Sequence, residues 1–297
     1  MAETDLDRLR NIPIWDPPAT LQESTEAWER YAENFLNHDL PQIGEYHEQV
    51  NLTPELHADI AGPLGTPPFP IVLYLHGGGW AFGSAKSFRK VSMTFAAHGV
   101  LAITPNYRLA PEHPFPSALD DISQALDWII NSAATYGADR HRISIGGDSA
   151  GANLAFATAI RSPESIRKQL SSLLLFYGAY DLAATIERSD YQPGVIEQVN
   201  NYAGQAGLSD PLVSPLLNQF PPSTPACFLL EGSADQLVGG ESAALAVKLK
   251  QANINHEFQI MDNMPHGFMQ FFELEGCQMA WERMIAFLRR QPPTHSE

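Results

Sequence analysis

The sequence predicts an α/β protein built on a mostly parallel sheet with helices on both faces. Short apolar runs bounded by proline and glycine alternate with stretches of helical periodicity along the chain. Such runs are typical of strands buried on both faces, and their alternation with helices indicates crossover connections between parallel strands. The predicted strands are residues 71–75, 100–104, 142–146, 173–177, 226–230 and 257–262, and the predicted helices are residues 22–37, 86–98, 116–136, 241–252 and 276–290, with another beginning near Ala150.

Two stretches depart from this alternation. Residues 1–45 contain one helical pattern, whereas residues 181–225 contain no clear strand and are rich in Gly, Asn, Gln and Pro. Because open α/β sheets bind ligands at the carboxyl ends of their strands, we interpret both stretches as a helical lid, or cap, over that edge. The predicted organisation is one catalytic domain, residues 46–180 and 226–297, with a cap formed by residues 1–45 and 181–225.

Composition limits the classes of partner. The formal net charge is −16, with 34 acidic against 18 basic residues, which argues against nucleic acid or an anionic membrane. The N-terminus lacks the apolar segment of a secretory signal, and no run approaches the about 18 apolar residues of a membrane span, so we expect a cytoplasmic protein. Cys227 and Cys277 are too few for a disulfide framework and fit no metal motif. We expect neither metal nor cofactor.

The segment GDSAG matches the pattern G-x-S-x-G and stands between a predicted strand and a predicted helix. In that context the pattern forms a sharp turn that exposes the serine hydroxyl, and the flanking Gly147 and Gly151 leave room for the turn. Ser149 is therefore the predicted nucleophile. The alternative is a Gly/Ser-rich turn without chemistry, but the strand before it and the helix after it favour catalysis.

The motif HGGGW begins at His76, directly after the first predicted strand. Three consecutive glycines weaken helices and strands, but they let backbone N–H groups approach a substrate oxygen, as acyl transfer requires. The candidate oxyanion donors are Gly77, Gly78 and Gly79, together with the N–H of Ala150. A phosphate-binding loop is the alternative, although the spacing that it requires is absent. We interpret His76 as a structural hydrogen-bonding residue.

A general base and its acid partner are expected late in the chain. His266 lies in the loop after the last predicted strand, where the base of this arrangement belongs. Asp235 lies in the loop after the preceding predicted strand, between serine and histidine in chain order. An aspartate there would hold the imidazole in one tautomer and stabilise its charged form. Glu231 and Glu241 are the rival acids.

Taken together, these motifs resemble those of the hormone-sensitive-lipase-like esterases, a family of α/β-hydrolases. HGGGW, GDSAG, PHGF and the segment NYRLAPEHPFPSALDD occur in the order and spacing of that family, and the resemblance covers about residues 70–290. It implies the triad and oxyanion roles given above, with Gly77 the less favoured donor. The usual acid motif of the family is D-P-L-x-D, whereas this chain has DQLVG from Asp235, so its acid loop departs from the family pattern.

The resemblance implies a serine carboxylesterase that hydrolyses short- to medium-chain carboxylic esters through an acyl-serine intermediate, without a cofactor. It implies a small-molecule ester as partner, and a homodimer. Trp80 and Phe82 are candidates for lining the acyl pocket, although core packing is an alternative for both. Two further functions stay open: a lactonase or amidase with the same triad, and a non-catalytic receptor for a small ligand on the same fold.

Overall fold

The computed structural model describes residues 4–11, 21–188 and 193–294. The strands of these residues are β1 (Glu45–Asn51), β2 (His57–Gly62), β3 (Phe69–Leu75), β4 (Leu101–Pro105), β5 (Ala138–Asp148), β6 (Leu170–Phe176), β7 (Ala226–Gly232) and β8 (His256–Met261). They form an eight-stranded sheet in the order β1-β2-β4-β3-β5-β6-β7-β8. From β4 to β8 all neighbouring strands are parallel, which confirms the mostly parallel sheet.

Helices cover this sheet. They are α1 (Asp5–Asn11), α2 (Leu21–Tyr31), α3 (Arg89–Ala97), α4 (Ser117–Ser132), α5 (Ala150–Arg161), α6 (Glu164–Arg167), α7 (Leu182–Arg188), α8 (Pro193–Ala203), α9 (Glu241–Gln251) and α10 (Glu275–Arg290). Helix α5 packs on β3, β5 and β6, and helices α9 and α10 pack on β7. Among the described residues, no helix combines the length and the hydropathy that crossing a membrane would require.

The central strands are buried along their whole length. Every residue of β4 is buried, and in β3 the run from Ile71 to Leu75 is no more than 1% exposed. A strand with side chains alternating to both faces is fully buried only when both faces are covered. The continuous apolar runs in the sequence are therefore explained by helices on either side of the sheet, and each buried Leu or Ile contributes roughly 1.5–3 kcal/mol to stability.

Strands β1 and β2 were not predicted. Both pair antiparallel, β1 with β2 and β2 with β4, and they extend one edge of the sheet. Strand β1 is mostly exposed and polar, so it carries no apolar run. In β2 the buried Asp59 accepts hydrogen bonds from the hydroxyl of Tyr46 and the backbone N–H of Gln49, each at 2.9 Å. Strand prediction depends on apolar runs or on alternation of apolar and polar residues, and neither is clear in a polar edge strand or in a strand with a buried acid.

The loops that follow four of the strands lie at the same edge of the sheet. Strand β3 ends at Leu75, β5 at Asp148, β7 at Gly232 and β8 at Met261, and all four are parallel. Parallel strands have their carboxyl ends at one edge. The loops that hold HGGGW, the serine, the aspartate and the histidine therefore meet there.

The predicted cap segments contain helices rather than strands. Helix α2 lies in the first segment, and α7 and α8 lie in the second, while residues 12–20 and 189–192 fall outside the described part of the chain. Side chains of α2 and α8 pack against the loop that follows β3. The division into a catalytic domain and a two-part cap stays a prediction.

Candidate active site

Ser149 occupies a strained turn between β5 and α5. Its φ and ψ of 55° and −120° are unusual for a residue with a side chain, and its N–H donates to the carbonyl of Phe176 at 2.9 Å. A β-carbon on Gly147 would lie 2.7 Å from the backbone of Gly151, and one on Gly151 would lie 2.7 Å from the carbonyl of His76. Both glycines are therefore required by close backbone packing, and the turn presents the serine hydroxyl at the edge of the sheet.

The structure brings the three predicted triad residues together. Nε2 of His266 lies 2.8 Å from Oγ of Ser149, and Nδ1 of the same ring lies 2.8 Å from Oδ2 of Asp235. Distances of this size are those of hydrogen bonds between a nucleophile, its base and the acid that orients the base. The side chain of His266 is 23% exposed and that of Asp235 is fully buried, so only the base reaches solvent.

The other oxygen of Asp235 is held by its own loop. Oδ1 accepts the backbone N–H groups of Leu237 at 2.9 Å and Val238 at 3.1 Å. Burial raises the pKa of Asp235, but the neighbouring His266 and these two N–H donors outweigh burial and leave the pKa below its usual value. The ionised carboxylate then accepts the Nδ1 proton of His266, which leaves Nε2 free to accept the serine proton. The sequence DQLVG thus orients the acid without the proline of the family motif.

The imidazole of His266 has a raised pKa. Burial lowers this pKa, but the charge of Asp235, its hydrogen bond and the charge of Asp148 together raise it above the usual value. The ring of Tyr177 packs edge-on against the imidazole, with 5.1 Å between ring centroids. The imidazole of His266 is therefore held by the carboxylate of Asp235 and by the ring of Tyr177.

The two rival acids have other partners. Glu231 accepts the backbone N–H of Gly240 at 2.7 Å and so holds the start of α9. Glu241 accepts the backbone N–H of Asp181 at 2.7 Å, which ties α9 to the start of α7. Neither carboxylate contacts His266, whose acid partner in the structure is Asp235.

In the described part of the chain, three of the four candidate oxyanion donors have free backbone N–H groups: Gly78 and Gly79 in the HGGG loop, and Ala150 directly after the serine. The N–H of Gly77 donates to Oδ1 of Asp148 at 3.0 Å, so the inclusion of Gly77 among the oxyanion donors is corrected: its proton is already bonded. Within the described residues, no acceptor lies against the N–H groups of Gly78, Gly79 or Ala150. Gly78 and Gly79 have φ values of +114° and +58°, which glycine adopts without strain.

Asp148 was not predicted as a site residue. Its side chain is buried, and Oδ1 accepts the hydroxyl of Tyr74 at 2.6 Å in addition to the N–H of Gly77. Burial raises the pKa of Asp148 to about 6, although these hydrogen bonds and the nearby His266 each lower it. An acid at the carboxyl end of a predicted buried strand was the available signal, because a carboxylate there must find buried donors.

His76 has a structural position, as interpreted from the sequence. Its ring stacks on Tyr107 with 4.3 Å between centroids, and its Nδ1–H donates to the carbonyl of Gly77 at 2.8 Å. Burial lowers the pKa of His76 to about 4, so this imidazole is neutral at physiological pH. The neutral ring fixes the start of the HGGG loop.

Trp80 and Phe82 join the same loop to the predicted cap segments. Trp80 is 4% exposed and stacks on Tyr202 of α8, with 4.5 Å between ring centroids and 8° between ring planes. Phe82 is 9% exposed and packs against Trp28 of α2 at 5.5 Å. Their role in lining an acyl pocket stays a prediction.

A serine on a strained strand-to-helix turn, hydrogen-bonded to a histidine that is in turn oriented by a buried aspartate, is the arrangement of serine hydrolases with the α/β-hydrolase fold. A family model described as alpha/beta hydrolase fold matches residues 72–270. The chain is 30% identical over 243 residues to the carboxylesterase NlhH of Mycobacterium tuberculosis, covering 77% of this chain and 76% of that protein.

Two further proteins that this chain resembles are also ester hydrolases. The ethyl acetate hydrolase of Pseudomonas putida is 29% identical over 234 residues, covering 72% of each chain. A crystal structure of an esterase from the bacterial hormone-sensitive lipase family superposes with a TM-score of 0.82 at 25% identity, covering 98% of this chain and 99% of that one. The chain belongs to the α/β-hydrolases and, among them, to the hormone-sensitive-lipase-like esterases; it is a carboxylic ester hydrolase.

Proposed function

We propose that this carboxylesterase hydrolyses short- to medium-chain esters with Ser149 as nucleophile, His266 as general base and Asp235 as the acid that orients the base. The observation that carries the proposal is the unbroken series of hydrogen bonds from Asp235 to His266 to Ser149, at 2.8 Å each. The free N–H groups of Gly78, Gly79 and Ala150 supply the matching oxyanion hole.

In the first half-reaction, Oγ of Ser149 bonds to the ester carbonyl carbon while Nε2 of His266 takes the serine proton. The carbonyl oxygen becomes an oxyanion, which the three backbone N–H groups stabilise; one such donor is worth about 10²–10³ in rate. The carbon–oxygen bond to the alcohol then breaks. The alcohol leaves with the proton from His266, and the acyl group stays on the serine.

In the second half-reaction, water takes the place of the alcohol. His266 removes a proton from the water as its oxygen bonds to the acyl carbon, and the same N–H groups hold the new oxyanion. The bond to Oγ breaks, His266 returns the proton to Ser149, and the carboxylic acid leaves. Asp235 keeps its negative charge throughout and stabilises the transient imidazolium.

Short to medium acyl chains are favoured by two observations. The relative from Pseudomonas putida is named for ethyl acetate, an ester with a two-carbon acyl group. The aromatic side chains Trp80 and Phe82 follow the glycines of the HGGG loop and pack against α8 and α2, and we propose that they line a small acyl pocket. We assign residues 1–45 and 181–225 to a cap that covers this pocket.

A series of p-nitrophenyl esters from acetate to palmitate tests the proposal. Wild-type protein is expected to hydrolyse the short esters fastest, Ser149→Ala to lose hydrolysis, and the exposed Ser165→Ala on α6 to behave as wild type. Equal rates for wild type and Ser149→Ala would favour the non-catalytic receptor. Matched p-nitroanilides and lactones, assayed beside the esters, decide between the esterase and its amidase and lactonase alternatives.

The homodimer and the cytoplasmic location implied earlier stay predictions. Sedimentation velocity at several protein concentrations tests the first, and fractionation of the source cells tests the second.

A further inference from the structure

Gln198 is a polar residue on the apolar face of α8. Residues three and four apart on a helix share a face, and on that basis Gln198 shares a face with Val195 and Tyr202. Val199 is four residues from Val195 and three from Tyr202, so it borders the same face. Val199 and Tyr202 are each 1% exposed, and Val195 packs against the core. The side chain of Gln198 is half-buried among these residues, and burying an amide costs free energy unless the amide forms hydrogen bonds.

The side chain of Gln198 lies directly over Gly79. A β-carbon built on Gly79 would lie 3.0 Å from Cδ of Gln198 and closer still to Oε1. The carboxamide therefore fills the space that a side chain at this position of the HGGG loop would take. It stands next to the residue whose free N–H is assigned to the oxyanion.

The carboxamide has unused hydrogen-bonding capacity. No hydrogen bond to its oxygen or nitrogen is found among the described residues. A glutamine amide has two donors and an acceptor, and which of the two terminal atoms faces Gly79 is set by the hydrogen bonds that it makes. With an oxyanion in place, the favoured orientation points the NH₂ group towards it.

The position of α8 is fixed by its other contacts with the loop. Tyr202, one turn beyond Gln198, stacks on Trp80, the residue that follows Gly79. The carbonyl of Tyr202 accepts the N–H of Phe115 at 2.8 Å. Gln198 is therefore presented by an anchored helix, as a group that must stabilise a transition state should be.

From this geometry we infer that Gln198 is a further catalytic residue, a side-chain donor from α8 that completes the oxyanion hole beside Gly78, Gly79 and Ala150. Its NH₂ donates to the oxygen that becomes negative when Ser149 attacks. The donor strengthens as the oxygen gains charge, so it acts mainly on the transition state. This inference rests on the proposed function, because it needs an oxyanion formed by attack of Ser149.

Gln198→Leu and Gln198→Glu test the inference on a short p-nitrophenyl ester. Leucine keeps the approximate volume and removes the donor, and kcat is expected to fall on the order of 10²-fold with little change in KM. Glutamate places a negative charge beside the oxyanion, so its loss is expected to be larger. Asn200→Leu makes the matched change at an exposed position of α8 and is expected to keep wild-type kcat.

A trifluoromethyl ketone gives a second measurement, because its hemiketal with Ser149 carries the same oxyanion. Its inhibition constant is expected to rise in Gln198→Leu by the factor that kcat loses. An unchanged kcat, a change in KM alone, or an unchanged inhibition constant would each overturn the inference while wild type remains active. Wild-type protein without esterase activity would instead overturn the proposed function, and the inference with it.

Discussion

The backbone N–H of Gly77 donates to the carboxylate of Asp148 at 3.0 Å, so the HGGG loop is bonded to the residue that precedes Ser149, the proposed nucleophile. Both hydrogen bonds of this carboxylate, from Gly77 and from Tyr74, end on the same oxygen, Oδ1. The carboxylate of Asp148 therefore holds the HGGG loop next to the proposed nucleophile, Ser149. The carboxylate also acts electrostatically on His266.

Asp148→Asn is expected to leave the HGGG loop in place and to shift the pH dependence of kcat/KM. An asparagine Oδ1 can accept the same two hydrogen bonds, so the loop stays in place. The charge that helps to raise the pKa of His266 is lost, and the acid limb of kcat/KM should shift to lower pH. Asp148→Ala removes both bonds and is expected to lower kcat/KM at every pH. An acid limb that does not move in Asp148→Asn would contradict the assigned electrostatic role.

For wild type, kcat/KM is expected to fall below an apparent pKa higher than the about 6.5 of an ordinary imidazole. The base must be neutral to accept the serine proton, and the net effect of Asp235 and Asp148 is to raise the pKa of His266. Initial rates at substrate concentrations below KM, from pH 5 to 9, measure the limb. A midpoint at or below 6.5 would show that burial outweighs the two acids.

Asp235→Asn is expected to lower kcat by about 10⁴-fold, because an amide favours the wrong imidazole tautomer. Glu231→Gln serves as the comparison: Glu231 bonds to the start of α9, so its loss should reduce stability and leave kcat near the wild-type value. Circular dichroism spectra check that both variants fold. If Glu231→Gln were the inactive variant and Asp235→Asn the active one, the acid role would have to be reassigned.

Tyr202→Phe is expected to be at least as stable as wild type, by up to about 1 kcal/mol. Its buried hydroxyl has no partner in the described residues, and an unsatisfied buried group is costly. The stack on Trp80 is kept. Tyr202→Ala loses the stack and leaves a cavity, which should cost about 3–5 kcal/mol. Urea unfolding of the three proteins measures the differences, and a marked loss in Tyr202→Phe would reveal a partner for the hydroxyl.

Much of the fold and the triad was predictable because it depends on local signals. Continuous apolar runs give the central strands, and the strand-turn-helix context of GDSAG identifies Ser149. In a parallel sheet, the loops after successive strands meet at one edge, so loop position and chain order favour His266 and Asp235, with Glu231 and Glu241 left as rival acids. The structure adds the distances: Asp235 bonds to His266, whereas Glu231 and Glu241 bond to backbone N–H groups elsewhere, which supports the proposed acid.

The rest depended on contacts that no local pattern encodes. Strand β1 is polar and β2 is interrupted by the buried Asp59, so neither carries a continuous apolar run. That the N–H of Gly77 is already bonded depends on Asp148, which is 71 residues away in the chain. The position of Gln198 depends on how α8 docks, and α8 docks through contacts with distant residues, such as the stack of Tyr202 on Trp80.

The buried carboxylate of Asp148 makes the stability of the protein depend on pH in a different way from its activity. With a folded pKa of about 6 against an ordinary value of 3.8, Asp148 contributes stability that is complete below pH 3.8 and is lost as pH rises through 6. The raised pKa of His266 acts in the same direction, and the lowered pKa of Asp235 removes stability only in stronger acid. Together these three groups contribute most to stability in mild acid, where the proposed base, His266, is protonated. The pH range in which these groups stabilise the fold most therefore lies below the range in which His266 is neutral and can accept the serine proton.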